Sequence, residues 1–162
     1  MDCDACNAAG QTLAVKTVLF LCTGNYYRSR FAEILFNHLL AGNDLDWRAA
    51  SRGLAPDKGI NVGPISMYAL HGLKARGIAL GSKIRYPLPV TEADLADADL
   101  IVALKESEHR PMLEAHFPVW AEGVEYWHID DLDCASPEEA LTRLEDAVVE
   151  LMNRLRRPVR PR

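Results

Sequence analysis

Val18-Leu19-Phe20-Leu21 is a continuous apolar run that breaks off at Cys22-Thr23-Gly24-Asn25, a loop composition. A short uninterrupted run of this kind is expected of a strand buried on both faces, and such strands belong to parallel sheets covered by helices. A helical pattern begins near Arg28, with Phe31, Ile34, Leu35, Leu39 and Leu40 on one side and Gly42 as its stop. The strand–loop–helix order repeats along the chain. Strands are expected at Trp47–Ser51, Asp99–Leu104 and Val124–Ile129. A helix is expected from about Pro64 to Arg76, with Ile65, Tyr68, Ala69 and Leu73 on one face and Gly77 at its end. A weak helical turn starts near Thr91, and another helix follows the Asp99 strand up to Phe117-Pro118. The last helix has an N-cap, Pro and capping-box Glu in Ser136-Pro137-Glu138-Glu139, then a stripe of Leu141, Leu144, Val148, Leu151 and Leu155. The alternation predicts an α/β three-layer sandwich, a parallel sheet with helices on both faces.

At 162 residues the chain has the length of one domain, able to bury about 70% of its unfolded surface. No repeat or long linker divides it. Residues 1–16 read as a flexible leader, 17–157 as a single domain and 158–162 as a basic tail. The arginines at 154, 156, 157, 160 and 162, interleaved with Pro158 and Pro161, suit a solvated end. The net charge of −5 gives no reason to expect nucleic acid. No apolar run reaches the roughly 18 residues needed to span a bilayer. Acid stands at the N-terminus where a secretory signal carries base, so a cytoplasmic protein is expected. Its four cysteines then read as thiols, and Cys3-x2-Cys6, with no second ligand pair near it, as part of a loose extension.

The loop after the first strand, Cys22-Thr23-Gly24-Asn25-Tyr26-Tyr27-Arg28-Ser29, carries the chemistry. In such a sheet, ligands sit beyond the carboxyl ends of strands. Five residues between Cys and Arg let the backbone curl around one tetrahedral anion with its N–H groups inward. Gly24 and Asn25 accept the left-handed conformations the curl demands. The helix N-terminus and Arg28 favour both a thiolate and a phosphate, and Arg28 offers a planar fork that Lys cannot reproduce. Ser29 can donate its hydroxyl to the thiolate and later help it depart. The set fits thiolate attack on phosphorus, a phosphocysteine intermediate and hydrolysis. A leaving ester oxygen needs a proton, and Asp130, Asp131 and Asp133 follow the last strand at the same end of the sheet.

These residues resemble the low-molecular-weight protein-tyrosine-phosphatase family. The likeness runs from the Cys22 loop through Ser51-Arg52-Gly53, Arg76-Gly77-Ile78 and Asp99-Leu100-Ile101-Val102 to Trp127-His128-Ile129-Asp130-Asp131. It covers about residues 16–156 and implies four parallel strands. By the resemblance Cys22 is the nucleophile, Asp131 the general acid and Ser29 the support of the thiolate. Phosphate lies on the loop amides from Thr23, Gly24, Asn25, Tyr26 and Tyr27 and on Arg28, while Asn25 and Ser51 brace the loop. No metal or organic cofactor is implied. The partner is a phosphorylated protein or a small phosphate ester, and the assembly a monomer or weak dimer.

The chain departs from the family's pattern at four places. Leu132 follows Asp131 where proline is usual, and Tyr27 replaces the second cysteine many members carry before the arginine. Aromatic residues after the acid are missing, leaving Tyr26 and Tyr27 to wall the site from the other side. Arg30, where proline is common, is expected to add positive charge at the loop rim. Two alternatives share the loop. An arsenate reductase of the same fold needs two further cysteines, and the segment from Leu80 to Val90 has none. A phosphate- or phosphopeptide-binding module with impaired turnover is the other.

Overall fold

The apolar run forms the middle of strand β1 (Lys16–Cys22) in the computed structural model, which describes residues 14–58, 61–132 and 134–156. Side chains alternate across a strand, so Val18 and Phe20 enter one core while Leu19 and Leu21 enter the other. β1 lies between β2 (Trp47–Gly53) and β3 (Leu100–Ala103), and β4 (Glu125–Tyr126) pairs with β3. All pairings are parallel, with Cys22 opposite Gly53 at the carboxyl end. The helices are α1 (Arg28–Leu39), α2 (Met67–Ala75), α3 (Glu92–Asp97), α4 (Glu106–His116), α5 (Pro118–Ala121) and α6 (Pro137–Arg156).

The two cores identify the layers. Phe31 and Leu35 of α1, Leu73 of α2 and Leu144 and Val148 of α6 pack with Val18 and Phe20 on one face. Leu95 of α3, Leu113 of α4 and Ala121 of α5 pack with Leu19 and Leu21 on the other. This is the expected three-layer α/β sandwich. The buried stripe of α6 anchors its face, each Leu or Val contributing about 1.5–3 kcal/mol. Ser136 caps that helix as its sequence predicts: Glu139 N donates to Ser136 Oγ at 3.2 Å, and Ser136 N donates to Glu139 Oε1 at 3.3 Å. Gly42 and Gly77, with φ of 83° and 79°, follow α1 and α2 in the left-handed conformation that stops a helix.

Three elements differ from expectation. The second helix starts at Met67 rather than Pro64, because Ser66 is its N-cap and accepts from Tyr68 N at 3.1 Å. The last strand pairs regularly only over Glu125–Tyr126. β3 ends at Ala103 as the chain turns toward α4, so Trp127 N and Ile129 N reach back to the carbonyls of Ala103 and Leu104 at 2.8 and 2.7 Å. The one-turn helix α5, begun by Pro118, was hidden by the preceding Phe117-Pro118 break. β1 also takes in Lys16 from the expected leader. Cys3 and Cys6 of the leader, the tail residues from Arg157 onward and Asp133 lie outside the described residues. Among the described residues no helix is long and apolar enough to cross a membrane.

Strand order β2-β1-β3-β4 means that the chain leaves β1 toward one edge and β3 toward the other. A crevice opens beyond the carboxyl ends of these two strands. Cys22 ends β1 at that crevice.

Candidate active site

Between Cys22 and Arg28 the backbone turns back on itself with Asn25 at φ 51°, the only non-glycine residue at positive φ among those described. The turn is pressed against the end of β2. Leu54 N and Ala55 N donate to the carbonyls of Cys22 and Thr23 at 2.8 and 2.9 Å. A Cβ on Gly53 would stand 2.9 Å from the backbone oxygen of Thr23, closer than such atoms pack, and tightly at 3.0 Å from Asn25 Cβ, so the close approach requires glycine. Tyr27 is the N-cap of α1 and makes no side-chain cap bond. The first-turn N–H groups of the helix therefore offer their positive end to the loop.

Behind the loop, buried polar groups run in one connected line. Cys22, 2% exposed, places Sγ 3.0 Å from Ser29 Oγ. Asn25 Nδ2 donates to Ser29 Oγ and Ser51 Oγ, both at 2.9 Å. Ser29 Oγ therefore already accepts one bond, and its own proton is free to point at an ionised sulfur. Ser51 Oγ donates to Glu33 Oε1. Arg85 closes the line, bonding Asn25 Oδ1 at 2.9 Å, Ser51 Oγ at 3.0 Å and Glu33 Oε1 at 3.2 Å. Arg30 is not at the rim. It is 3% exposed, and it donates to Pro64 O at 2.8 Å and Arg85 O at 2.9 Å. Burial, with Arg85 beside it, pushes its ionisation down to about 10. The extra cation braces the back of the site.

Arg28 is 2% exposed and bonded on both arms. Nη1 donates to Ile129 O at 3.0 Å, while Nη2 contacts Glu108 Oε2 at 3.0 Å and Asp131 Oδ2 at 3.3 Å. Burial opposes the charge of Arg28, but Cys22, Glu108 and Asp131 outweigh it and hold its ionisation above the usual value. Glu108 is held well below the ordinary carboxylate range, first by His109 and then by Arg28 and Thr23, against the pull of burial. Lys105 N donates to His109 Nδ1 at 3.0 Å. That fixes the proton of the neutral ring on Nε2, which faces Glu108 at 3.3 Å and Thr23 Oγ1 at 3.2 Å. Burial lowers the His109 ionisation and keeps the ring neutral.

Asp130 and Asp131 are separated by their partners. Lys105 pairs with Asp130 and lowers its ionisation. Asp131 instead lines a cavity of about 560 Å³ together with Cys22, Gly24, Arg28, Tyr26 and Tyr27. Met67, Tyr68 and Leu132 form more of its wall. Tyr26 is tied across to Val62 O by its hydroxyl. Cys134 lies 4.0 Å from Lys105 Nζ, on the Asp130 side.

The fold thus brings together the residues singled out in the Cys22 loop, Ser51 and Asp131. It adds Glu33 and, from segments far from the loop in the chain, Arg85, Glu108 and His109. One signal was readable: Glu33 is one helical turn beyond Ser29, on the face of α1 that meets β2. For Arg85 and Glu108 no spacing pointed to the loop.

The chain is similar to known proteins in sequence and in fold. Residues 17–160 match the family model described as low molecular weight phosphotyrosine protein phosphatase. The human phosphatase of that name is 32% identical over 102 residues, covering 61% of this chain and 61% of that protein. A protein-arginine-phosphatase of Bacillus subtilis (strain 168) is 29% identical over 100 residues, covering 62% of each. The aligned part thus spans about three fifths of these curated relatives. The crystal structure of a low molecular weight protein tyrosine phosphatase from T. tengcongensis superposes with a TM-score of 0.72 at 27% identity, over 86% of this chain and 99% of that one. With the parallel sheet, the Cys22 loop and a matching model over nearly its whole length, this chain belongs to the low molecular weight phosphotyrosine protein phosphatase family.

Proposed function

We propose that the protein is a cysteine-dependent phosphatase that hydrolyses phosphate monoesters through a phosphocysteine intermediate. The observation that carries this reading is the line from Glu33 through Ser51, Asn25 and Ser29 to the Cys22 sulfur. It aims a hydroxyl proton at a buried sulfur that also faces a buried guanidinium and a helix N-terminus. In the reaction the Cys22 lone pair forms the S–P bond as the P–O ester bond breaks. Asp131 protonates the departing oxygen, and its carboxylate then takes a proton from the water that opens the S–P bond. Arg28 and the loop amides hold the equatorial oxygens throughout. Asp131 on the cavity wall favours turnover over anion binding alone.

Tyr26, Met67, Tyr68 and Leu132 give the cavity mouth an apolar, largely aromatic wall. A phosphotyrosine side chain or a small aryl phosphate fits it. The likeness to a protein-arginine-phosphatase supports phosphoarginine as a second substrate to test. The named relatives are phosphatases, which favours phosphoryl transfer over arsenate reduction. The work is assigned to the cytoplasm, where free thiols persist. The test is hydrolysis of p-nitrophenyl phosphate, a phosphotyrosine peptide and phosphoarginine by wild type and Cys22→Ser. The reading requires turnover of at least one by wild type and none by the variant. Hydrolysis that survives Cys22→Ser would defeat it.

A further inference from the structure

Beyond its backbone amide, Tyr27 has no task in the reaction above. Its side chain is 6% exposed and shares the cavity wall with Cys22, Arg28 and Asp131. Its hydroxyl is nonetheless one of two buried side-chain polar atoms without a hydrogen-bond partner among the described residues. Buried hydroxyls are almost always bonded, and a phenylalanine ring would fill the same space without the unpaired group.

The charged and titratable groups that share its cavity limit what it can bond: Asp131, Arg28 and Tyr68. Burial, and then the charge of Asp131, push the Tyr27 ionisation up to about 12, so the hydroxyl keeps its proton and acts as a donor. Arg28 has only donors to offer. The carboxylate of Asp131 is the charged acceptor. Asp131 is itself weakly held. One oxygen accepts from Leu132 N at 2.8 Å, and the other meets Arg28 Nη2 at 3.3 Å, long for a charge-assisted bond. A phosphate on the loop needs that same guanidinium fork.

We propose that Tyr27 is a positioning residue for the acid: when phosphate claims Arg28, the Tyr27 hydroxyl takes the Asp131 carboxyl and steadies it at the leaving oxygen. One carboxyl oxygen then accepts from Tyr27, while the other carries the proton that passes to the ester oxygen as the P–O bond breaks. The carboxylate left behind keeps the Tyr27 bond until water returns a proton to it. This rests on the phosphatase reading.

Tyr27→Phe removes only the oxygen. Acid assistance matters most for a poor leaving group, so kcat/KM is compared on phenyl phosphate and p-nitrophenyl phosphate. The expected result is a loss of about tenfold on the former and less than about threefold on the latter. Tm should be unchanged or higher, since no protein partner is lost. In an Asp131→Asn background, Tyr27→Phe should have no further effect. Equal losses on both esters, no loss on either, a loss that persists beside Asp131→Asn, or a fall in Tm would each overturn the proposal. Cys22→Ser is the control that separates the two readings. Wild type without Cys22-dependent turnover defeats both, whereas an active wild type matched by Tyr27→Phe defeats only this one.

Discussion

Behind the Cys22 sulfur, Asn25, Ser29, Ser51, Glu33 and Arg85 are joined by hydrogen bonds of 2.5 to 3.2 Å, most of them buried at least in part. In front of it, Asp131 is 44% exposed and reaches Arg28 at 3.3 Å. The same cavity is therefore rigidly supported on one side and loosely on the other. The difference suits the two roles that the proposed reaction gives these sides. An anion cradle works by being in place before charge develops, so fixed dipoles with little freedom suit it. A proton donor must meet leaving groups of different shape and then accept a proton from water, so it sits on a short exposed loop whose contacts can exchange.

The comparison breaks first at Arg28, the residue both sides share. Arg28→Lys loses the planar fork and one of the contacts to Ile129 O, Glu108 and Asp131, and kcat/KM should fall by about 10²–10³ on any ester. A loss restricted to poor leaving groups would instead place Arg28 with the acid. Asp131→Asn comes next. Phenyl phosphate turnover should drop about 100-fold, with a much smaller drop on p-nitrophenyl phosphate, and Asp130→Asn should leave that ratio unchanged.

The rigid side is tested by the backbone at Asn25. Asn25→Ala and Asn25→Gly both remove the bonds to Ser29 and Ser51, but only alanine is strained at φ 51°. Urea denaturation should find the alanine variant less stable than the glycine variant by about 1–2 kcal/mol. Equal stabilities would mean that the loop relaxes around Asn25 and is less fixed than its bonding implies.

An effect of similar size is expected at Glu108. Glu108→Gln keeps the shape but removes the charge facing Arg28, and should cost about 1–2 kcal/mol at neutral pH. The sign with pH follows from the lowered ionisation of Glu108 in the fold. Its contribution is present above the unfolded value of about 4.3 and is lost as pH falls from there through the lower folded value. The gap between wild type and Glu108→Gln should therefore be full at neutral pH and narrowed at about pH 3. A gap independent of pH would show that the charge is not what Glu108 supplies.

The two sides were unequally legible in the sequence. The Cys22 loop, its strand and its helix are contiguous, so burial pattern, turn residues and the Cys–Arg spacing all fall within one window. The Ser136 cap and the α6 stripe are local in the same sense. Arg85, Glu108 and His109 reach the loop only because β1 and β3 are neighbours and the connection before β3 folds back over β2. No local period encodes that meeting. Arg30 was misplaced at the rim because charge alone suggests solvent. On the helix it lies beside Phe31 and Ala32, in a stretch where consecutive residues are buried, and its head finds carbonyls of Pro64 and Arg85. The different surroundings of Asp130 and Asp131 were not legible either, since Lys105, which pairs with Asp130, lies in another segment.

The claim on which the rest stands is that phosphorus is transferred to the Cys22 sulfur. Asp131→Asn should slow breakdown of the intermediate, so that variant, mixed with p-nitrophenyl phosphate, quenched in acid and mapped by peptide mass, tests it most directly. The account predicts one phosphoryl group on the peptide containing Cys22 and none in the Cys22→Ser, Asp131→Asn double variant. A phosphoryl group on any other side chain, or steady turnover by Cys22→Ser, would contradict it.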